Sequence, residues 1–182
     1  PFAAFAAAVA RRPRGVAGTG HVVVTPINEI SYLAWAASQP AQLYAPNNLP
    51  CADAATARRA GFDVKRRLVR AALAAMAAMR AELPGVRFMH VEPLVHVAPG
   101  EADGTGTAAE IGGWQWQALD LLGGRLQPEL GGSAGSLHII GVNHYFTSQW
   151  ALHGERVCWE DGDARWQPFA TLLRGVWQRY GR

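Results

Sequence analysis

Three short stretches gather titratable, amide and aromatic side chains directly behind hydrophobic runs. The first is Asn28-Glu29, which follows Val22-Val-Val-Thr25. The second is Glu92, with His96 four residues on, behind Val86-Arg-Phe-Met-His-Val91. The third is Asn143-His144-Tyr145, behind Leu137-His-Ile-Ile-Gly-Val142. A carboxyl group beside an amide can serve as general acid or base once a partly apolar or anionic site raises its pKa. Glu29 has a competing reading as a cap on a short helix over 31–37, because acidic residues are favoured at helix N-termini. Glu92 admits three readings: a second reacting carboxylate, a substrate-binding or supporting group, or one half of a structural ion pair. Carboxylates on neighbouring strands are badly aimed to work from opposite sides of one bond, so the first reading ranks last. His90 lies within its strand and reads as a buried core histidine, whereas His96 lies past Pro93 and is a candidate substrate contact. No third ligand falls at a convincing spacing from these two histidines, so no metal site is expected.

The elements that must carry these residues alternate. A helix is expected over 2–12, where Phe2, Phe5 and Val9 recur at helical spacing. Strands are expected over 21–25, 86–91 and 137–142, each short and β-branched or apolar. A Pro- and Asn-rich loop spans 39–50. The longest signal is a helix over 52–83, with Val64, Leu68, Ala71, Ala72, Ala75, Met76 and Met79 on its apolar face. Further helices are expected over 108–122 and 168–180, with polar loop between the third strand and Trp166. Short buried strands joined by helices imply right-handed crossovers and a parallel sheet. The fold class is therefore α/β. The expected architecture is part of a (β/α)8 TIM barrel, about three parallel strands with flanking helices. In such barrels the residues just past each strand face the active site.

Composition narrows the function classes. The 182 residues are 49% hydrophobic and 17% charged, enough for a core. The net charge of +3 comes with no run of five basic residues, which argues against a nucleic-acid partner. No apolar run reaches the length of a membrane span, so no membrane partner is expected. Cys51 and Cys158 are the only cysteines and lie far apart, which points to a reducing, cytoplasmic setting. The glycines Gly15, Gly18 and Gly20 imitate a phosphate loop but precede a strand instead of joining a strand to a helix, so no dinucleotide cofactor is implied. Seven tryptophans fit carbohydrate stacking as well as packing. Trp150 is the best candidate for a sugar contact. Trp35 lines a site or anchors its helix, and Trp114, Trp116 and Trp177 read as helix packing.

Val24-Thr-Pro-Ile-Asn-Glu29 resembles the strand-4 motif of the retaining β-glycosidases of the (β/α)8 superfamily, which in the β-glucosidase branch reads roughly Thr-Phe-Asn-Glu-Pro. Ile140-Gly-Val-Asn-His-Tyr145 is similar to the strand-6 motif of the same branch, Gly-Ile-Asn-Tyr-Tyr. The two occur in the right order with one strand between them. The resemblance covers the chain from the helix before strand 4 to the helix before strand 7. It implies hydrolysis of β-linked glycosides without a cofactor. Glu29 would be the general acid/base, Asn28 would bond the sugar 2-hydroxyl, and Tyr145 would orient the nucleophile. Asn143 would be a polar neighbour in the same site. His144 replaces the first tyrosine of the family motif, and Ile30 replaces its proline. The resemblance places the nucleophilic carboxylate on a strand beyond Arg182, so the chain is expected to be one barrel segment, truncated at both ends and inactive alone. The contrasting readings are a non-catalytic carbohydrate-binding protein on a degenerate barrel and a small complete α/β domain with another activity.

Overall fold

The computed structural model describes residues 1–15, 22–38, 54–100, 105–152 and 154–182. The expected loop over 39–50, Cys51, Gly18 and Gly20 lie outside the described residues. Two compact units are built from interleaved segments, 1–92 with 118–141, and 93–117 with 142–182. The fold is α/β, with parallel strands and flanking helices, and no closed barrel is formed among the described residues.

The first unit contains α1 (Phe2–Arg11), β1 (Val23–Val24), α2 (Ile30–Ser38) and α3 (Ala54–Glu82). It also holds nearly all of β2 (Arg87–Pro93), most of α5 (Gln117–Leu122) and the start of β4 (Ile139–Asn143). The sheet order is β1-β2-β4. β1 runs parallel to β2, with Val23 opposite Arg87 and Val24 opposite Phe88. Side chains alternate along β2, so Phe88, His90 and Glu92 share its buried face. Phe88 packs there with Ala6 and Ala10 of α1 and with Ala75, Met76 and Met79 of α3. Met89 and Val91 take the opposite face, against Gly141 of β4. That second face is only partly covered, and Val23 is exposed.

Two apolar faces differ from expectation. On α1 the buried residues are Ala6 and Ala10, while Phe2, Phe5 and Val9 face outward. Small alanines let α1 sit close on α3, and the larger residues are left at the rim. On α3 the buried stripe is Lys65, Val69, Ala72, Ala75, Met76 and Met79, one position off Val64 and Leu68 at its N-terminal half. The sole lysine of the chain thus lies on the inward face. α3 ends before Pro84, which cannot continue a helix.

The second unit contains β3 (His96–Ala98), α4 (Thr105–Gly113), β5 (Gln149–Ala151) and α6 (Phe169–Tyr180). β3 and β5 pair in parallel, with Val97 opposite Trp150. Ala98, Ala151 and Val157 form a small core beneath Trp166. The expected helix over 108–122 starts earlier and is interrupted by a 3-10 turn at Trp114–Trp116, where Gly112-Gly113 weaken the α-helix. The region expected to be polar loop contains β5. α6 is fastened through the Tyr180 hydroxyl, which donates to the Trp116 carbonyl at 3.3 Å, and by Arg179 over the Trp116 ring at 5.8 Å. Trp177 is exposed, contrary to the packing role expected of it.

A Cβ on Gly141 would meet Val91 Cγ2 at 2.9 Å and the Met89 side chain at 3.4 Å. Gly141→Val is therefore expected to destabilise the chain by about 1–3 kcal/mol through overpacking. Urea unfolding checks this, and an unchanged midpoint would show that β2 and β4 are not in contact there.

Candidate functional site

Glu29 stands between β1 and α2 and is the residue from which the helix starts. Its carbonyl accepts the Leu33 N–H at 2.9 Å, the first bond of α2. Its own N–H donates to the Val91 carbonyl at 2.8 Å, which ties it to the end of β2. Its φ is +53°, a left-handed conformation that costs a residue with a Cβ roughly 1–2 kcal/mol. Asn and Gly adopt that conformation more readily than Glu. Only Gln127 shares a positive φ among the described non-glycine residues.

The helix cap is supplied from another strand. Glu92 accepts the Ile30 N–H through Oε1 at 2.8 Å and the Ser31 N–H through Oε2 at 2.9 Å. Those are the first two amides of α2, groups that have no partner inside the helix. The cap expected of Glu29 at those amides is thus occupied by Glu92. Glu92 is only 3% exposed and shares the helix-covered face of β2 with Phe88 and His90. Burial pushes its carboxyl up to about 7. The Ser31 and Ile30 groups and the positive charge of Lys65 pull it back down. Lys65 is 5% exposed, and burial lowers it to about 8 while Glu92 holds it up. Neighbouring His90 donates through Nε2 to the Ser136 carbonyl at 3.0 Å. Burial lowers it to about 4, so it is a neutral core histidine. Asn28, next to Glu29, is exposed, and Glu29 itself is partly buried.

The first unit therefore brings Asn28, Glu29, Glu92 and Lys65 to the C-terminal ends of β1 and β2. The second unit carries the remaining candidates. Asn143 ends β4, and its carbonyl accepts the Leu94 N–H at 2.9 Å. His144 donates from Nδ1 to the Leu94 carbonyl at 2.7 Å and stacks on Phe169 at 5.1 Å, so its ring is committed to packing. Tyr145 starts a turn closed by Ser148, whose hydroxyl accepts the Tyr145 N–H at 2.8 Å. The tyrosine ring projects to solvent, 59% exposed. His96 donates from Nε2 to the Arg165 carbonyl at 3.1 Å, and burial lowers its pKa. Trp150 lies on β5 and is partly buried beside the bridge to Arg156. The described residues contain no cluster of three side chains suited to a metal ion. No described helix is long and apolar enough to cross a membrane.

Lys65 was missed from sequence. Extending the stripe of Met79, Met76, Ala72 and Val69 back by one turn lands on it, and that periodicity was the available signal. No protein family, curated protein or solved structure matches the chain.

Two outcomes follow for stability. Folding raises the Glu92 pKa from 4.5 to about 7, so the native state holds that proton more tightly and stability falls as pH rises between those values. Folding lowers Lys65 from 10.5 to about 8, so stability recovers as pH rises from about 8 to 10.5. Denaturant midpoints measured from pH 4 upward should show that dip as the difference between the chain and its Glu92→Gln Lys65→Met double variant, since both keep the opposite slope that His90 gives below about pH 6.5. Separately, Glu29→Asn should stabilise the chain by about 1 kcal/mol, since Asn tolerates the left-handed region better than Glu. A loss of stability in Glu29→Asn would contradict the conformation assigned to Glu29.

Proposed function

We propose that this chain is part of a (β/α)8 retaining β-glycosidase similar to the β-glucosidases, with Glu29 as its general acid/base. The observation that carries the reading is the placement of Glu29. It follows a parallel strand, in a costly left-handed conformation, while another residue caps the helix it begins. Strain of this kind concentrates where function requires it. The parallel pairing of β1 with β2, and the partly covered face bearing Met89, Val91 and Gly141, suit an arc of a barrel wall.

In the proposed reaction Glu29 delivers its proton to the glycosidic oxygen as the bond from that oxygen to the anomeric carbon breaks. A carboxylate about 5–5.5 Å away attacks the anomeric carbon and forms a glycosyl ester. The resemblance assigns that nucleophile to a strand beyond Arg182. Glu29, now a carboxylate, takes a proton from water. The water oxygen bonds to the anomeric carbon, the ester bond breaks, and the sugar leaves with its configuration retained. The resemblance gives Asn28 the sugar 2-hydroxyl, Tyr145 the orientation of the nucleophile, and Asn143 a polar role. Trp150 and His96 are sugar-contact candidates, although the His96 Nε2 proton already has a carbonyl partner.

The test is the leaving-group dependence of Glu29→Gln in the enzyme encoded by the complete reading frame. Hydrolysis of methyl β-glucoside should fall by about 100- to 10,000-fold, the range of general acid catalysis, with a much smaller fall in glycosylation by dinitrophenyl β-glucoside. Equal losses on both would remove the acid role. Absence of hydrolysis in the parent itself would favour a carbohydrate-binding protein on a degenerate barrel.

A further inference from the structure

The end of β2 grips the start of α2 at two consecutive residues. The Val91 carbonyl takes the Glu29 N–H at 2.8 Å. The Glu92 carboxylate takes the next two amides, Ile30 at 2.8 Å and Ser31 at 2.9 Å. Helix formation holds the other side of Glu29, through the Leu33 N–H on its carbonyl. Every backbone bond around Glu29 is thus fixed by β2 or by the helix that β2 caps. The Glu92 carboxylate is buried, lies on the face of β2 that carries Phe88, and has both oxygens engaged. A direct sugar contact by Glu92, one of the readings its place in the sequence admits, would require it to release the helix.

We propose that Glu92 is the positioning residue for Glu29: its two oxygens hold the first amides of α2 so that the preceding residue presents its carboxyl from a left-handed backbone. The positive charge of Lys65 favours the anionic form of the clamp and offsets part of the effect of its burial. This rests on the reading of Glu29 as the acid/base. Glutamine is a poor substitute because its side-chain NH2 would face a backbone N–H, donor against donor. Loss of one clamp contact frees the backbone at Glu29 and lets the carboxyl drift from the glycosidic oxygen. A misplacement of about 1 Å costs on the order of 100-fold in such steps.

The experiment compares Glu92→Gln, Glu92→Asp and Glu29→Gln in the enzyme from the complete reading frame. Each is assayed on methyl and dinitrophenyl β-glucosides, with and without azide. Glu92→Gln is expected to lose about 100-fold in kcat/KM on the methyl glycoside, with a much smaller change in glycosylation by the activated one. Azide, which needs no general base, should raise turnover of the activated substrate. Glu92→Asp keeps the charge but is one methylene shorter, and should show the same signature more weakly. It carries the test if the glutamine variant does not fold. Equal losses on both substrates, or a change confined to KM, would overturn the positioning role while Glu29→Gln still shows leaving-group dependence. If Glu29→Gln shows none, the acid/base reading fails and the positioning role with it.

Discussion

A single carboxylate, that of Glu92, joins one strand to the helix that follows another. Its oxygens satisfy the Ile30 and Ser31 amides, 62 and 61 residues away in sequence. α2 packs on α3, and α3 brings Lys65 to bear on the same carboxylate. The arrangement is not a source of large net stability. Burying an ion costs several kcal/mol, and the left-handed Glu29 costs roughly 1–2 kcal/mol more. Against this stand two charge-assisted hydrogen bonds at about 1.5–3 kcal/mol each and the attraction of Lys65. Gains and costs are of similar size. What the interaction secures is geometry, the direction in which the chain leaves β1 and enters α2.

That geometry makes Glu92 the acceptor for the first two amides of α2. Glu29 is next to the helix in sequence, yet the cap comes from β2. The Glu29 main chain is held by the Val91 carbonyl and the Leu33 amide, while Glu92 holds the first two amides of the helix. The second unit treats its polar residues differently. His144 and His96 are tied to the Leu94 and Arg165 carbonyls, while the Tyr145 ring projects from a turn. His144 is thus a packing group, and the adjacent Tyr145 stays accessible.

Long periodic elements were legible in the sequence. α3, β2 and α6 lie within a few residues of where apolar spacing puts them, because many residues share in each signal. β3 and β5 were not legible. Three residues such as His96-Val97-Ala98 carry no period, and only their pairing with each other makes them strands. The burial of Ala6 and Ala10 in place of Phe2 and Phe5 was hidden for another reason. Close helix packing selects small residues, and a hydrophobicity pattern weights large ones. At the site, Asn28 and Glu29 stood out because they directly follow a strand. The role of Glu92 did not, since its partners come from α2 and α3. Lys65 is inward because the buried stripe of α3 runs through it, and a pattern of apolar residues passes over a charged one.

The most direct test of the central claim is the product formed by Glu29→Ala in the complete enzyme, given dinitrophenyl β-glucoside and azide. Proton NMR reads the configuration of the glycosyl azide. If Glu29 is the acid/base, the glycosyl ester still forms, azide displaces it, and β-glucosyl azide accumulates with faster turnover than in water alone. Formation of α-glucosyl azide would make Glu29 the nucleophile instead. Absence of any glycosyl azide, with turnover unaffected by azide, would contradict the assignment of Glu29 to this chemistry.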